Sequence, residues 1–382
     1  MERIKLGIDN LERWMKLFEG KRVGLITNPT GLDGRLNSTI DILRDKVNLV
    51  RLYSPEHGVR GDIQAGVAVS DYTDERSGLP VTTLYGKSKR PTREMLEDID
   101  LLAIDIQDVG SRLYTYLYTM SYCMQGCAQY GKSFVVFDRP NPLGGDTVEG
   151  NLIREGYTSF VGLHPIPHRY GLTMGETARF FNEEFQIQCD LQVISMEGWK
   201  RGMYYEDTGL LWIPPSPNMP SVDTAFVYNG TCIFEGTNIS EGRGTTKPFE
   251  FVGAPWLDAD RLADRMNGLK LEGAVYRPVY FTPCFSKHEK ELCRGVQLHV
   301  TDRKAFRPVK NGLHLLEQIK GMSDGKFRYL DAYTPSGKPM IDYNTGSDYI
   351  RTHDFKAEEV YAEWSEEAAG FSSRKEPYHL YS

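Results

Sequence analysis

The chain has 382 residues, 40% hydrophobic and 25% charged, which is long enough for two domains with separate cores and too apolar for a disordered or fibrous protein. Its formal net charge of −7 argues against a general binder of nucleic acid or anionic membrane, which would need an excess of Lys and Arg. The opening stretch MERIKLGIDNLERW holds no long apolar core, so it reads as neither signal peptide nor membrane span, and the chain as written reads as cytoplasmic; an exported protein stripped of its leader would read the same way.

In chain order, Leu11, Trp14, Met15 and Phe18 recur at helical spacing, with Asp9 placed to cap, Glu12 completing a capping-box-like arrangement and Gly20 to end the helix. Apolar runs of strand length follow at 22–28, 48–54, 81–85, 101–107 and 133–140, with helical patterns between several of them and a clear helix from Thr115 to Gly131. Continuous apolar strands separated by helices predict an α/β fold: a Rossmann-like, doubly wound, mostly parallel sheet covered on both faces. Thr173 and Glu176 form a T-x-x-E capping box ahead of another apolar helix, which explains Glu176 without catalysis. The proline-rich run from 210 to 232 interrupts this periodicity and marks the boundary between a catalytic domain, 1–225, and a smaller α+β domain, 226–382, that closes a cleft. In that second part the pattern predicts a glycine-rich loop at 236–244, helices near 258–268, 308–320 and 357–369, and strands near 275–281 and 295–301. The six cysteines, at 123, 127, 189, 232, 284 and 293, form no C-x-x-C pair and read as reduced thiols rather than zinc ligands.

Ligands of open parallel sheets bind beyond the carboxyl ends of the strands. Here those ends read Asn28-Pro29-Thr30-Gly31, Ser54-Pro55-Glu56-His57-Gly58, Asp105-Ile106-Gln107-Asp108 and Asp138-Arg139-Pro140-Asn141. Turn chemistry accounts for an Asn, Asp or Gly at any one of them, but acids, amides, His and Arg at four ends point to one shared site. Glu56 on its own could be a solvated loop acid; Pro55, Gly58 and Gly61 stiffen and tighten its loop so that backbone can approach a ligand. His57 is as readily a turn histidine as a base, and Asp108 and Ser111 as readily cap the following helix. Arg112, Tyr114, Tyr116 and Tyr118 set aromatic faces beside carboxylates, the combination a sugar site uses, although core packing also explains some of them. In the loop FEGTNISEGRGTTKP, Glu235, Asn238, Glu241 and Arg243 lie among glycines, which favours a binding loop. His168 and Arg169 stand close enough in sequence to reach the cleft.

Several chemistries lack their motif. The first strand is followed by TNPTGLDG instead of G-x-G-x-x-G, so no dinucleotide cofactor is expected. There is no G-x-x-x-x-G-K-[ST] loop and no G-x-S-x-G elbow, and HEKEL at 288 lacks the second histidine of a zincin. Carboxylate chemistry remains, with no cofactor or metal called for.

SPEHGVRG, DIQDVGSRLYTY, FDRPNPLGG with VEGN behind it, PHRYGLTMGE, PPSPNMP and FEGTNISEGRGT, in that order, resemble the NamZ family of exo-acting β-N-acetylmuramidases, over about residues 22–250 with a compatible remainder. The resemblance implies a bacterial cell-wall recycling hydrolase with a Rossmann-like first domain and a cleft against a second. Its reaction would release N-acetylmuramic acid from the non-reducing end of peptidoglycan fragments. Its partner is then a sugar or muropeptide, with no nucleic acid and no membrane insertion. Glu56 aligns with the glutamate of the family's E-H-G motif and is expected to be the general acid, which calls for a raised pKa. Glycosidases usually pair two carboxylates, and Asp105, Asp138, Glu235 and Glu241 are the candidates for the second, with Glu241 and Asp105 placed beside Glu56 in the catalytic set; an acid that orients the substrate's own acetamido group is the other option. Arg112, Arg139 or Arg243 would hold the lactyl carboxylate. Asn28, His57, Asp108, Tyr116, Asn141, His168 and Asn238 complete the expected binding residues. Two other functions compete: a non-hydrolytic sugar-binding protein, and a metal-assisted hydrolase using His57, Asp105 and Asp138.

Overall fold

The computed structural model describes residues 3–61, 71–84 and 89–382. Its main sheet has seven strands: β1 (Arg22–Thr27), β2 (Asn48–Ser54), β3 (Tyr72–Thr73), β4 (Pro80–Thr83), β5 (Leu101–Asp105), β6 (Ser133–Phe137) and β7 (Asp190–Ile194). They lie in the order β3-β4-β2-β1-β5-β6-β7, and every pairing is parallel except that of β3 with β4. Without the short edge strand β3, six parallel strands wind outward from β1 in both directions, which is the Rossmann order with its crevice between β1 and β5. Strands β1, β5 and β6 are buried along nearly their whole length, as expected for a sheet covered on both faces. The predicted strand at 81–85 is β4; its last residue, Tyr85, lies outside the described residues. Strands β3 and β7 were not anticipated. The exposed and half-buried residues of β7 break the apolar run by which the others announce themselves.

The helices are α1 (Thr39–Lys46), α2 (Arg93–Leu96), α3 (Tyr116–Tyr130), α4 (Met174–Glu184), α5 (Val222–Thr231), α6 (Ala259–Gly268), α7 (Pro308–Gly321), α8 (Met340–Thr345), α9 (Tyr349–Thr352) and α10 (Ala357–Lys375). Helix α3 ends on Gly131 at φ 65°, where a left-handed residue satisfies the last turn. Helix α4 carries the anticipated Thr173/Glu176 capping box. The first helical segment, Ile8–Leu17, is a 3₁₀ helix and Asp9 is not its cap: Asp9 Oδ2 accepts from Leu6 N at 2.8 Å, and Glu12 pairs with Lys46.

Strands β8 (Phe251–Ala254), β9 (Ala274–Phe281) and β10 (Cys293–Val300) make a separate antiparallel sheet in the order β8-β10-β9. Helix α6 covers it, and α5 packs along α7, where Gly230 and Gly312 approach so closely that a Cβ on either would strike the other's backbone or that of Pro308. One continuous apolar core joins α3 and α4 of the first part to α5, α7 and α10 of the second. Residue 225, the expected boundary, falls inside α5. The chain then returns: Lys375 Nζ donates to Gly145 O and Gly171 O (2.6 and 2.7 Å), and Tyr381 OH donates to Asp138. All six cysteines are free thiols, five of them buried.

Candidate active site

Between the two parts lies a cavity of about 390 Å³. Glu56 and His57 reach it from the end of β2, Tyr114–Tyr116 from the turn into α3, Ser216, Asn218 and Met219 from the proline-rich run, and Glu235, Arg243 and Phe249 from the glycine-rich loop and its sequel. Tyr333, Met340 and Tyr343 close the far side. A larger groove of about 560 Å³ runs along α1, but among the described residues its lining holds no aromatic side chain beside Asp41 and Asp45. The smaller cavity has the better chemistry.

Its floor is an arc of edge-to-face aromatic contacts: Tyr116 on Tyr114 (5.0 Å between centroids), Tyr114 on Tyr228 (6.0 Å) and Tyr228 on Phe249 (4.7 Å), with the Arg243 guanidinium 5.0 Å over Phe249. Pyranose C–H faces stack on such rings. Burial pushes the Tyr116 hydroxyl well above its usual range, so it stays a neutral donor, and it donates to Pro215 O at 2.7 Å. Asn28 Nδ2 donates to the same carbonyl at 3.3 Å. Together they tie the proline-rich run to the end of β1 and the start of α3.

Glu56 is half-buried on the cavity wall, and Thr115 Oγ1 donates to its Oε2 at 3.1 Å. The turn beyond it is tight: His57 has φ 74° and Gly58 φ 81°, two consecutive left-handed residues, with Gly58 N bonded to Pro55 O. Gly61, at φ 76°, leaves room for Pro29, whose Cγ would lie 2.5 Å from a Cβ there. Glu235 supplies the second wall carboxylate. Its Oε1 accepts from Arg243 Nε and Nη2 (3.2 and 2.5 Å) and its Oε2 from the Cys232 thiol (3.1 Å). Glu241 sits behind this pair, 2% exposed, with Lys287 Nζ at 2.6 Å and Arg243 Nε at 3.3 Å.

Of the expected residues, then, Glu56, His57, Tyr116, Glu235 and Arg243 meet in the cavity, with Asn28 and Glu241 directly behind its walls. The others lie elsewhere. Asp105 is fully buried in the β1–β5 crevice, paired with Arg139 Nε and Nη2 (2.5 and 2.9 Å) and accepting from Thr39, while Arg139 also donates to Leu32 O. Thr27 and Thr30 bond across the same crevice to Asp105 O and Gln107 N. Asp138 accepts from Arg139 N, Gly175 N, Thr173 Oγ1 and Tyr381 OH, an arrangement that holds the start of α4 and the C-terminal segment. Asp108 turns inward to accept from Gly110 N and Tyr170 OH (2.6 and 2.5 Å), and burial pushes its carboxyl up to about 7. Asn141 closes a turn through Leu143 N and Leu172 O.

Arg112 and His168 are buried together away from the cavity. The guanidinium donates to the carbonyls of Ile166 (3.0 Å), Asn344 (3.1 Å) and Asn151, and His168, whose imidazole burial drives well below its usual range, stacks on Trp364. Arg169 is likewise buried, 3.8 Å from Glu149, so neither it nor His168 reaches the cleft. Asn238 pins the 326–328 backbone through Lys326 O and Arg328 N. Among the described residues, no three His, Cys, Asp or Glu side chains gather to hold a metal ion, and His57, Asp105 and Asp138 are committed to separate surroundings. No helix among the described residues is long and apolar enough to cross a membrane.

Sequence reasoning missed Thr115, Ser216, Asn218, Met219, Phe249, Tyr333 and Tyr343 as wall residues. The prolines around 214–220 were read as a domain boundary, and their rigidity serves equally to hold a wall. Tyr333 and Tyr343 carry no local signal, since only the return of the C-terminal part brings them to the cavity.

The N-terminal family model of the exo-β-N-acetylmuramidase NamZ matches residues 23–223 and the C-terminal one residues 226–381. The chain is 47% identical, over 99% of its length and 92% of the relative's, to the peptidoglycan β-N-acetylmuramidase NamZ of Bacillus subtilis. Two crystal structures of DUF1343 family proteins from Bacteroides fragilis superpose on the whole chain and on 99% of their own, with TM-scores of 0.91 and 0.81 at 42% and 30% identity.

Proposed function

The chain belongs to the exo-β-N-acetylmuramidase NamZ family, and on that premise we propose that it is a glycosidase releasing N-acetylmuramic acid from the non-reducing end of peptidoglycan fragments, with Glu56 as general acid. The observation that carries the assignment is the Glu56 carboxyl group on the wall of an aromatic-floored cavity, held by Thr115 and tyrosine-lined on one side, with the Glu235–Arg243 pair on the same cavity's wall. About 390 Å³ lies near the small end of the range for small-molecule sites, which suits a terminal sugar ring better than a run of glycan.

In the first step the Glu56 proton passes to the glycosidic oxygen as the C1–O bond breaks; the bonding pair stays on that oxygen and the leaving sugar departs as an alcohol. Positive charge develops at C1 and the ring oxygen; a water from solvent then adds to C1 and gives its proton to the Glu56 carboxylate, which restores the acid and completes the hydrolysis. Glu235, whose Oε1 is held by Arg243, is a weak nucleophile and better suited to orient the substrate's acetamido N–H or to stabilise that charge. Arg243 is the one of the three arginines considered that lines the cavity, and we assign it the lactyl carboxylate; Nε and Nη2 already face Glu235, so the contact would fall to Nη1. Arg112 and Arg139 lie outside the cavity, against buried carbonyls and Asp105.

The purified chain is to be incubated with a chromogenic N-acetylmuramic acid glycoside. Release of the chromophore is expected, and binding without release would instead identify a sugar-binding protein. Glu56→Gln should lower turnover by about 10²–10⁴-fold, the usual size of a lost general acid, with an unchanged unfolding midpoint. Near-normal turnover would remove Glu56 from the role.

A further inference from the structure

Thr115 stands at the N-cap position of α3, the place where a threonine hydroxyl ordinarily accepts from a backbone N–H two or three residues on. Here the side chain makes no cap bond and the residue has helical backbone angles, φ −73° and ψ −15°. The hydroxyl proton goes to Glu56 Oε2 instead, 3.1 Å away. A local rule of helix chemistry is thus set aside at a residue that touches the carboxyl group on the cavity wall, and such departures concentrate at functional sites.

The position of that hydroxyl is firmly held. Thr115 lies between Tyr114 and Tyr116, whose rings meet edge to face, and Tyr116 is anchored through its hydroxyl to Pro215 O. On the other side of the bond, the left-handed His57 and Gly58 set the turn that presents Glu56. The two halves of the contact therefore come from different strand ends, each fixed by its own backbone geometry.

We infer that Thr115 is the positioning residue for the catalytic carboxyl group: it occupies Oε2 as a hydrogen-bond donor and so leaves Oε1 as the oxygen that carries and delivers the proton. This rests on the proposed function, since it concerns the same proton transfer. A threonine hydroxyl has a single proton, so once it is given to Oε2 the carboxyl group cannot rotate freely about its last torsion without losing the bond. Proton transfer is steep in geometry, and a misplacement near 1 Å costs about 10²-fold.

The test uses the full chain with Thr115→Val, which keeps shape and removes the donor, and Thr115→Ser, which keeps the donor and removes the methyl group. With the chromogenic muramic acid glycoside, Thr115→Val is expected to lower kcat by about 10- to 100-fold, in the range of a misplaced reacting group, with KM changed less than about twofold, because the hydroxyl proton is committed to Glu56. Thr115→Ser should return kcat to within a few-fold of the unmodified chain. In a Glu56→Gln background, Thr115→Val should cause no further loss, since the residue acts only through that carboxyl group. Unchanged kcat in Thr115→Val, equal damage in Thr115→Ser, or an additive loss on Glu56→Gln each overturns the inference while leaving the muramidase assignment standing. Absence of turnover in the unmodified chain refutes that assignment and this inference together.

Discussion

Asp105→Ala separates a carboxylate that shapes the fold from one that does chemistry. Asp105 is 0% exposed and its partner Arg139 6%. Truncating the acid leaves Arg139 Nε without its acceptor and Nη2 with only Leu32 O, while Thr39 loses the oxygen it donates to. Leaving one member of a buried pair uncompensated costs about 3–5 kcal/mol. With an unfolding entropy of roughly 2.1 cal/mol/K per residue, a 382-residue chain melting as one unit loses about 4–6 °C in Tm for that cost. Differential scanning calorimetry measures the shift, and release of chromophore well below the new midpoint measures activity, which should stay within about threefold by the same reasoning that keeps an interior pair out of the cavity. Glu56→Gln should show the opposite pattern, lost turnover at unchanged Tm. A hundredfold loss of turnover in Asp105→Ala with Tm intact would refute the placement of Asp105 as a structural ion pair. Replacing both partners with apolar residues, Asp105→Leu with Arg139→Met, should recover part of the lost stability, since no buried charge is then left alone.

Asp108 offers a pH test. Its carboxyl is raised to about 7 in the fold from an ordinary value near 3.8, so the folded state holds the proton more tightly, and this contribution to stability is complete below about pH 4 and lost as pH rises through 7. Asp108→Asn, which has no proton to lose, should therefore gain Tm relative to the unmodified chain between pH 4.5 and pH 8; a constant difference across that range would contradict an interior acid that prefers to be neutral. Arg243→Met should raise KM for the muramic acid glycoside by about 10- to 100-fold, as for a lost charge-assisted bond, and reduce the preference over the corresponding N-acetylglucosamine glycoside, which lacks the lactyl carboxylate; equal effects on both sugars would remove Arg243 from that contact. Gly61→Ala combines a positive φ with a Cβ 2.5 Å from Pro29 Cγ and should destabilise by about 1–3 kcal/mol; thermal melting at unchanged Tm would show that the loop yields without cost.

The sequence by itself determined the parallel sheet and the place of Glu56 just beyond one of its strands. Period and length fix strands such as 101–105 and 133–137 because residues buried on both faces must be continuously apolar, and a carboxyl-end loop stiffened by Pro55 and Gly61 is a local property. It still placed Asp105, Asp108 and Asp138 beside Glu56 as site residues, because all four stand at or just beyond strand ends. Only the tertiary structure separated them. Asp105 lies in a crevice beside the Arg139 guanidinium, Asp138 collects donors from α4 and from Tyr381 more than two hundred residues later, and Asp108 folds back onto Tyr170. Glu56 alone of the four meets the cavity. The same holds for the second wall: Tyr333 and Tyr343 become site residues because the chain beyond α7 folds back across the cleft, a long-range pairing that no local periodicity encodes. Even the Thr115 hydroxyl, which local rules assign to a helix cap, is claimed by Glu56 from the loop after β2.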